Sequence, residues 1–188
     1  MRTLQIYVKM IFYIYNFYFT GFTRAINSIP CLGFSLLFHV NNSIDMRREC
    51  ILKALCVYLN EDYAQLLNEY NDCDWVNAKE AIAQMVMGIY IVRSEGHQPG
   101  DKPVDIGIVI EGTEVLCSLK NVAVAVAMLF GLTYALNLSY PRELKATFEV
   151  IQKGFFNLDG QKLSPKVQAL KNKMLECVLK RLNLDARR

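Results

Sequence analysis

The sequence predicts an α+β fold that is mainly α: a helical domain with a two-stranded β element and a buried central helix. Three observations predict it. Apolar residues recur at helical spacing at both ends of the stretch from Asp45 onward, two runs rich in β-branched residues lie between them, and Val122-Ala-Val-Ala-Val-Ala-Met-Leu-Phe130 is apolar all round.

Taken in order, Ile51, Leu55, Tyr58 and Leu59 recur as on one helix face, with Asp45 placed to cap the first turn. A shorter helix is expected through Tyr63, Leu66, Leu67 and Tyr70, and a third from Trp75 to Met85 after the Asn71-Asp-Cys-Asp74 turn. Gly88-Ile-Tyr-Ile-Val92 and Val104-Asp-Ile-Gly-Ile-Val-Ile110 then supply the two strands, joined by the polar, Gly- and Pro-rich loop from Ser94 to Pro103. In the second strand Val104, Ile106, Ile108 and Ile110 share a face, which should pack against the helices.

The segment from Glu114 to Leu136 reads as the central helix. Its apolar run of about 16 residues is shorter than the roughly 20 that a bilayer span needs, so a core position is favoured over a membrane one. Pro141 introduces a helix carrying Leu144, Phe148, Ile151 and Phe155, and Asp159-Gly160 makes a turn. Ser164 caps a final helix with Pro165 at its first position and Val167, Leu170, Met174, Val178 and Leu182 as its apolar stripe.

The domain organisation is uneven. Residues 45 to 188 make a single mainly helical domain, whereas residues 1 to 44 are aromatic, poorly specified and free of any carboxylate. Half of the Phe and Tyr residues fall in the first forty positions. Leu4 to Phe22 is nearly long enough for a membrane anchor, but Lys9 and Asn16 interrupt it, and its Tyr and Phe content suits the water interface better than the hydrocarbon centre. A signal peptide fits less well, because no small-x-small cleavage site follows Gly21. Phe, Tyr, Met, Ile, Asn and Lys also have codons built largely from A and T. A gene-model artefact is therefore the preferred reading, ahead of the anchor.

Composition narrows the function classes. The formal charge is +3, yet residues 46 to 188 hold 18 Lys and Arg against 17 Asp and Glu, so this part has no general pull on nucleic acid or acidic membrane. The six cysteines, Cys31, Cys50, Cys56, Cys73, Cys117 and Cys177, form no CxxC pair and read as reduced thiols of an intracellular protein.

Several runs are distinctive together: Arg47-Arg-Glu-Cys-Ile-Leu-Lys-Ala-Leu-Cys-Val-Tyr-Leu-Asn-Glu61, Asp105-Ile-Gly-Ile-Val-Ile-Glu-Gly-Thr-Glu-Val-Leu116, Leu129-Phe-Gly-Leu-Thr-Tyr-Ala-Leu-Asn-Leu-Ser-Tyr-Pro141 and Leu158-Asp-Gly-Gln-Lys-Leu-Ser-Pro-Lys-Val167. Over residues 46 to 175 the chain resembles the C-terminal region of vertebrate sterile alpha motif domain-containing protein 3-like proteins. The sterile alpha motif itself is absent, and residues 1 to 44 do not match. The resemblance implies a fragment of a longer protein, of mobile-element origin, and brings no catalytic or binding residues with it.

The search for chemistry agrees with that. His97 lies near Asp101 and Asp105 in sequence but in a polar loop, where a solvated histidine is expected rather than a general base; His39 lies in the aromatic start. Asp72 and Asp74 read as turn residues rather than metal ligands. Walker and Gly-x-Gly-x-x-Gly sequences are lacking, and Gly107 and Gly112 suit strand packing and a turn. Cys56 and Cys117 are expected inside apolar helices with inert thiols; Cys50, behind Arg47 and Arg48, is the one candidate for an activating field, and even there a structural role is preferred because no partner histidine is recognisable. The last helix is basic: from Lys162 to Arg188 eight Lys and Arg face two carboxylates. Lys166, Lys171, Lys173, Lys180 and Arg181 form the candidate partner-binding face, although such a face also serves solubility.

The expected function is a non-catalytic interaction or structural module with no catalytic residues, no cofactor and no metal. Its expected partner is a protein, and its expected location is intracellular, in cytoplasm or nucleus. The alternatives are a nucleic-acid-associated protein using the basic C-terminal helix and a single-pass module held in a membrane through residues 4 to 22.

Overall fold

The computed structural model describes residues 43 to 98, 101 to 155 and 162 to 185, with side chains except at 75, 76, 155 and 177 to 185. The 4-to-22 span and the turn at Asp159-Gly160 lie outside the described residues.

Helix α1, Ile44–Tyr58, buries Ile51, Leu52, Leu55 and Cys56. Ser43 caps it in place of Asp45: Ser43 Oγ accepts from the Met46 N–H at 3.3 Å, and Asp45 sits in the first turn, where a carboxylate complements the positive helix end. The helix gives way at Asn60, whose φ of 51° is the left-handed geometry of a helix terminus.

The expected two-stranded element is in fact a four-stranded mixed sheet of order β1-β2-β3-β4, formed by β1 (Leu67–Asn71), β2 (Met87–Arg93), β3 (Asp105–Ile110) and β4 (Thr113–Leu116). Strand β1 replaces the short helix expected over Tyr63 to Tyr70, of which only a 3-10 turn at Tyr63–Gln65 forms. Those apolar residues fit a helical period, but they also fit alternation, and pairing decides between the two. Strand β1 runs parallel to β2 with Leu67 opposite Ile89, and helix α2, Trp75–Ala83, makes the crossover.

Strand β4 occupies what the spacing predicts as the start of the central helix. Glu111 and Gly112 take φ of 51° and 71°, the left-handed pair of a two-residue hairpin, which sends Thr113–Leu116 back along β3. The hairpin tip is tied down, because the Glu111 and Gly112 N–H groups donate to the carbonyls of Val86 and Met85 at 2.7 and 2.8 Å. Helix α3 therefore starts only at Val122 and runs to Ala135, with Asn121 Oδ1 capping the Val124 N–H at 2.9 Å.

The remaining chain also departs from one regular helix. A 3-10 turn at Arg142–Leu144 leads into α4, Lys145–Glu149, which passes into π-helical turns over Val150–Phe155. Glu61 caps α4 from the far end of α1, its two oxygens accepting from Ala146 N and Thr147 N at 2.8 and 2.9 Å. Helix α5, Pro165–Asp185, closes the fold with Val167 and Leu170 buried.

The sheet is buried on both faces. Toward α1, α3, α4 and α5 it presents Leu67, Ile89, Ile91, Ile106, Ile108 and Ile110, which join Phe130 and Phe148 in the main core. On the other face Tyr90, Val92 and Val109 pack with Ile82 of α2. Val104 lies just outside β3 and is exposed, so it does not share the packed face of Ile106, Ile108 and Ile110. Among the described residues, no helix is long and apolar enough to cross a membrane.

Candidate functional site

Where α1, β1 and β2 meet, four charged side chains close into a ring. Glu49 and Lys53 stand one turn apart on α1, and the strand alternation that points Leu67 and Ile91 into the main core also aims Glu69 and Arg93 at that helix. Lys53 Nζ lies 2.7 Å from Glu49 Oε1 and 2.5 Å from Glu69 Oε1. Arg93 reaches the same two carboxylates, with Nη2 2.6 Å from Glu49 Oε1 and Nε 2.8 Å from Glu69 Oε2. Two cations thus neutralise two carboxylates, with Glu49 and Arg93 largely withdrawn from solvent.

The ring forms the floor of a cleft of about 450 Å³, walled by the start of α1, the loop after β2 and the start of α3. Burial alone would lower the Lys53 pKa, but hydrogen bonds to Glu49 and Glu69 outweigh it and hold Lys53 above its ordinary value. Arg93 is raised in the same way, against burial, by Glu69 and Glu49. Glu69 moves the opposite way: burial opposes the shift, yet hydrogen bonds from Lys53 and Arg93 pull it below the usual carboxylate range.

Cys50 shares the cleft but is not activated. Burial first, and then Glu49, push its thiol up, against smaller opposing effects of Lys53 and Arg93. The two arginines before it do not supply the expected field, since Arg48 lies 3.7 Å from Asp45 and Arg47 is exposed. His97 stands exposed at the rim, its Nδ1 3.3 Å from the Ser94 carbonyl. Asp101 also lines the cleft and accepts from Gln98 N at 2.7 Å. Asp105 points elsewhere, accepting from Ile106 N, Ser118 N and the Tyr90 hydroxyl.

No protein-family model, curated protein or solved structure matches this chain. The chemistry of the cleft is therefore read from its own residues.

The other sequence candidates are dispersed. Asp72 and Asp74 belong to a 3-10 turn, and Asp72 Oδ1 accepts from Glu95 N at 3.1 Å, which ties that turn to the loop after β2. Among the described residues no group of His, Cys, Asp and Glu could hold a metal ion. Cys56 is buried in α1, and its thiol is pushed up to about 11, chiefly by burial. Cys117 is exposed after β4 rather than enclosed in a helix, because α3 begins later than its apolar pattern predicts.

On α5, Lys166 and Lys171 are exposed and stand about 140° apart around the helix axis, flanking the buried stripe on either side. Lys173 is half-buried, with Nζ 5.4 Å from the centre of the Tyr58 ring on α1. The side chains of Lys180 and Arg181 lie outside the described residues. The ring of Glu49, Lys53, Glu69 and Arg93 escapes sequence reasoning except for the Glu49–Lys53 spacing of four, because Glu69 and Arg93 come from strands brought alongside by the fold.

Proposed function

We propose that this chain is a non-catalytic interaction or structural module that acts inside the cell through a protein partner. The observation that supports it is the direction of every resolved acidity change among the described residues. The thiols of Cys50, Cys56 and Cys73, the phenols of Tyr70 and Tyr90, and the cations Lys53 and Arg93 are all raised, whereas the carboxylates of Glu69 and Glu149 are lowered. Each moves away from neutrality, while groups that attack or exchange protons at pH 7 are tuned toward it. Protonated thiols and permanently charged pairs suit a fixed scaffold. The resemblance of residues 46 to 175 to a family without an assigned activity points the same way. Four free thiols, Cys50, Cys56, Cys73 and Cys117, support the intracellular setting.

Under this reading the partner meets the exposed Lys166 and Lys171, which flank the buried stripe of α5 on either side. The full chain, assayed against ester, phosphate and peptide substrates, should give no turnover that depends on the cleft. Turnover abolished by Cys50→Ser or His97→Ala overturns the reading. Cross-linking in cells should capture a protein whose yield drops on charge reversal at Lys166 and Lys171. Salt-sensitive retention of RNA or DNA, lost in the same variant, would instead move the partner class to nucleic acid.

A further inference from the structure

A second cavity, distinct from the charged cleft, lies along the β1 edge of the sheet and takes its lining from both faces. The alternation that sends Glu69 toward α1 turns Asn68 and Tyr70 to the α2 side, and there they line a space of about 640 Å³. That volume falls in the range of small-molecule sites, about 300–1,000 Å³.

Its polar side chains are the amides of Gln65, Asn68 and Gln84, the hydroxyls of Tyr70, Ser139 and Tyr140, and the Glu143 carboxylate. Asn68 is half-buried, and its one contact is long, 3.9 Å from the amide nitrogen to Met85 Sδ, which leaves the carbonyl oxygen accepting nothing from the described residues. The amides of Gln65 and Gln84 and the Tyr70 hydroxyl also have no hydrogen-bond partner among the described residues. The exposed Gln65 and Gln84 amides are hydrated, whereas the half-buried Asn68 carbonyl needs a water or a ligand donor to match it.

The rest of the lining narrows the ligand. Met85 and Met87 supply polarizable thioethers, which pack favourably on aromatic rings. Among the described residues no Lys, Arg or His lines the cavity, and the one carboxylate there, Glu143, disfavours an anion. A sugar would want an open aromatic face, but the ring of Tyr140 already stacks on Phe148 with centroids 4.8 Å apart and Tyr70 packs against the small cluster under α2. Asn and Gln amides, by contrast, match the paired donor and acceptor edge of a purine or pyrimidine.

We propose that this cavity binds an uncharged planar nitrogen heterocycle of the nucleobase or nucleoside class, held by the Asn68 and Gln84 amides and packed on Met85 and Met87. With the Glu143 carboxylate in the lining and no cation there among the described residues, a 5′-phosphate is unfavourable, so nucleosides bind more tightly than nucleotides.

The test is a titration of the full chain, labelled with carbon-13 at the methionine methyl groups, against adenosine, guanosine, cytidine, uridine and adenosine monophosphate. At least one nucleoside should shift the Met85 and Met87 methyl signals saturably while those of Met128 and Met174, which do not line the cavity, stay in place. Asn68→Leu should weaken binding about tenfold. Gln84→Ala, at an exposed position, supplies the same reading if Asn68→Leu fails to fold. A Cβ at position 88 would lie 2.6 Å from Met85 Sδ, so Gly88→Ala should displace the thioether and weaken binding as well. The proposal is overturned if no nucleoside shifts Met85 and Met87 at millimolar concentration, if adenosine monophosphate binds more tightly than adenosine, or if the amide variants keep the wild-type affinity.

Discussion

At the scale of single residues, Glu61 shows how one side chain joins distant parts of the chain. Its carboxylate receives two backbone N–H groups at the start of α4, 85 and 86 residues away, and so satisfies donors that a five-residue helix leaves open. Glu61→Ala should lower unfolding stability by about 1–2 kcal/mol in urea titrations, with Glu61→Gln losing less because it keeps one acceptor. Gly112 makes a second test. It takes φ of 71°, and a Cβ there would meet the Ala83 carbonyl oxygen at 2.4 Å, whereas Gly96 takes the same φ with nothing within 4 Å. Gly112→Ala should therefore cost about 2 kcal/mol or more, against about 1 kcal/mol for Gly96→Ala, when the two are compared by chemical denaturation. The turn at Gly112 was legible from composition; the close approach of Ala83 was not, since α2 arrives there only through folding. Thiol alkylation followed by mass spectrometry should modify exposed Cys117 before Cys50 and buried Cys56 last. Rapid labelling of Cys50 would contradict the account of its surroundings.

At the scale of elements, the charged ring couples α1 to two strands, and its consequences depend on pH. Glu69 has its folded pKa below the ordinary 4.5, so the unfolded chain binds more protons near that pH, and the stabilisation is present above it and lost as pH falls through the folded value. Glu149, which accepts from Ser164 N at 2.8 Å, is also lowered, against burial, by its hydrogen bonds with Ser164 and Lys153, and loses its contribution in the same direction. Lys53 is raised above 10.5, so its share persists at neutral pH and fades only as pH rises beyond that value. Glu69→Gln should flatten the fall in stability below about pH 4.5, measured as urea midpoints across pH; an unchanged slope would remove Glu69 from the account. Arg93→Met leaves Glu49 with Lys53 alone and should cost about 2 kcal/mol, less than a fully buried pair because Glu69 is partly hydrated. The same elements explain why β1 forms where a helix is expected. A short apolar pattern such as Tyr63, Leu66, Leu67 and Tyr70 satisfies both helix and strand periods, and only β2 alongside selects the strand.

At the scale of the whole molecule, the sheet separates a large core from a small one, and the two should differ in how far damage spreads. Phe148 is buried in the main cluster and stacks on Tyr140, so Phe148→Ala should cost about 4 kcal/mol and lower the stability of the whole domain. Ile82 belongs to the four-residue cluster under α2, and Ile82→Ala should cost about 2 kcal/mol while raising hydrogen exchange mainly in α2 and in the hairpin tip bonded to the connection that follows it. Equal exchange throughout in both variants would mean that the layers do not act separately. The long amphipathic pattern of α1, the all-round apolar run of α3, the β-branched runs of β2 and β3 and the Ser-Pro start of α5 were each readable locally, because helix periodicity, capping and β-branching act over a dozen residues or fewer. Strands β1 and β4, the charged ring and the amide-lined cavity were not, because each depends on which segments lie side by side. Glu49 and Arg93 are 44 residues apart, and nothing near either one marks the other as its partner until the sheet and α1 have packed together.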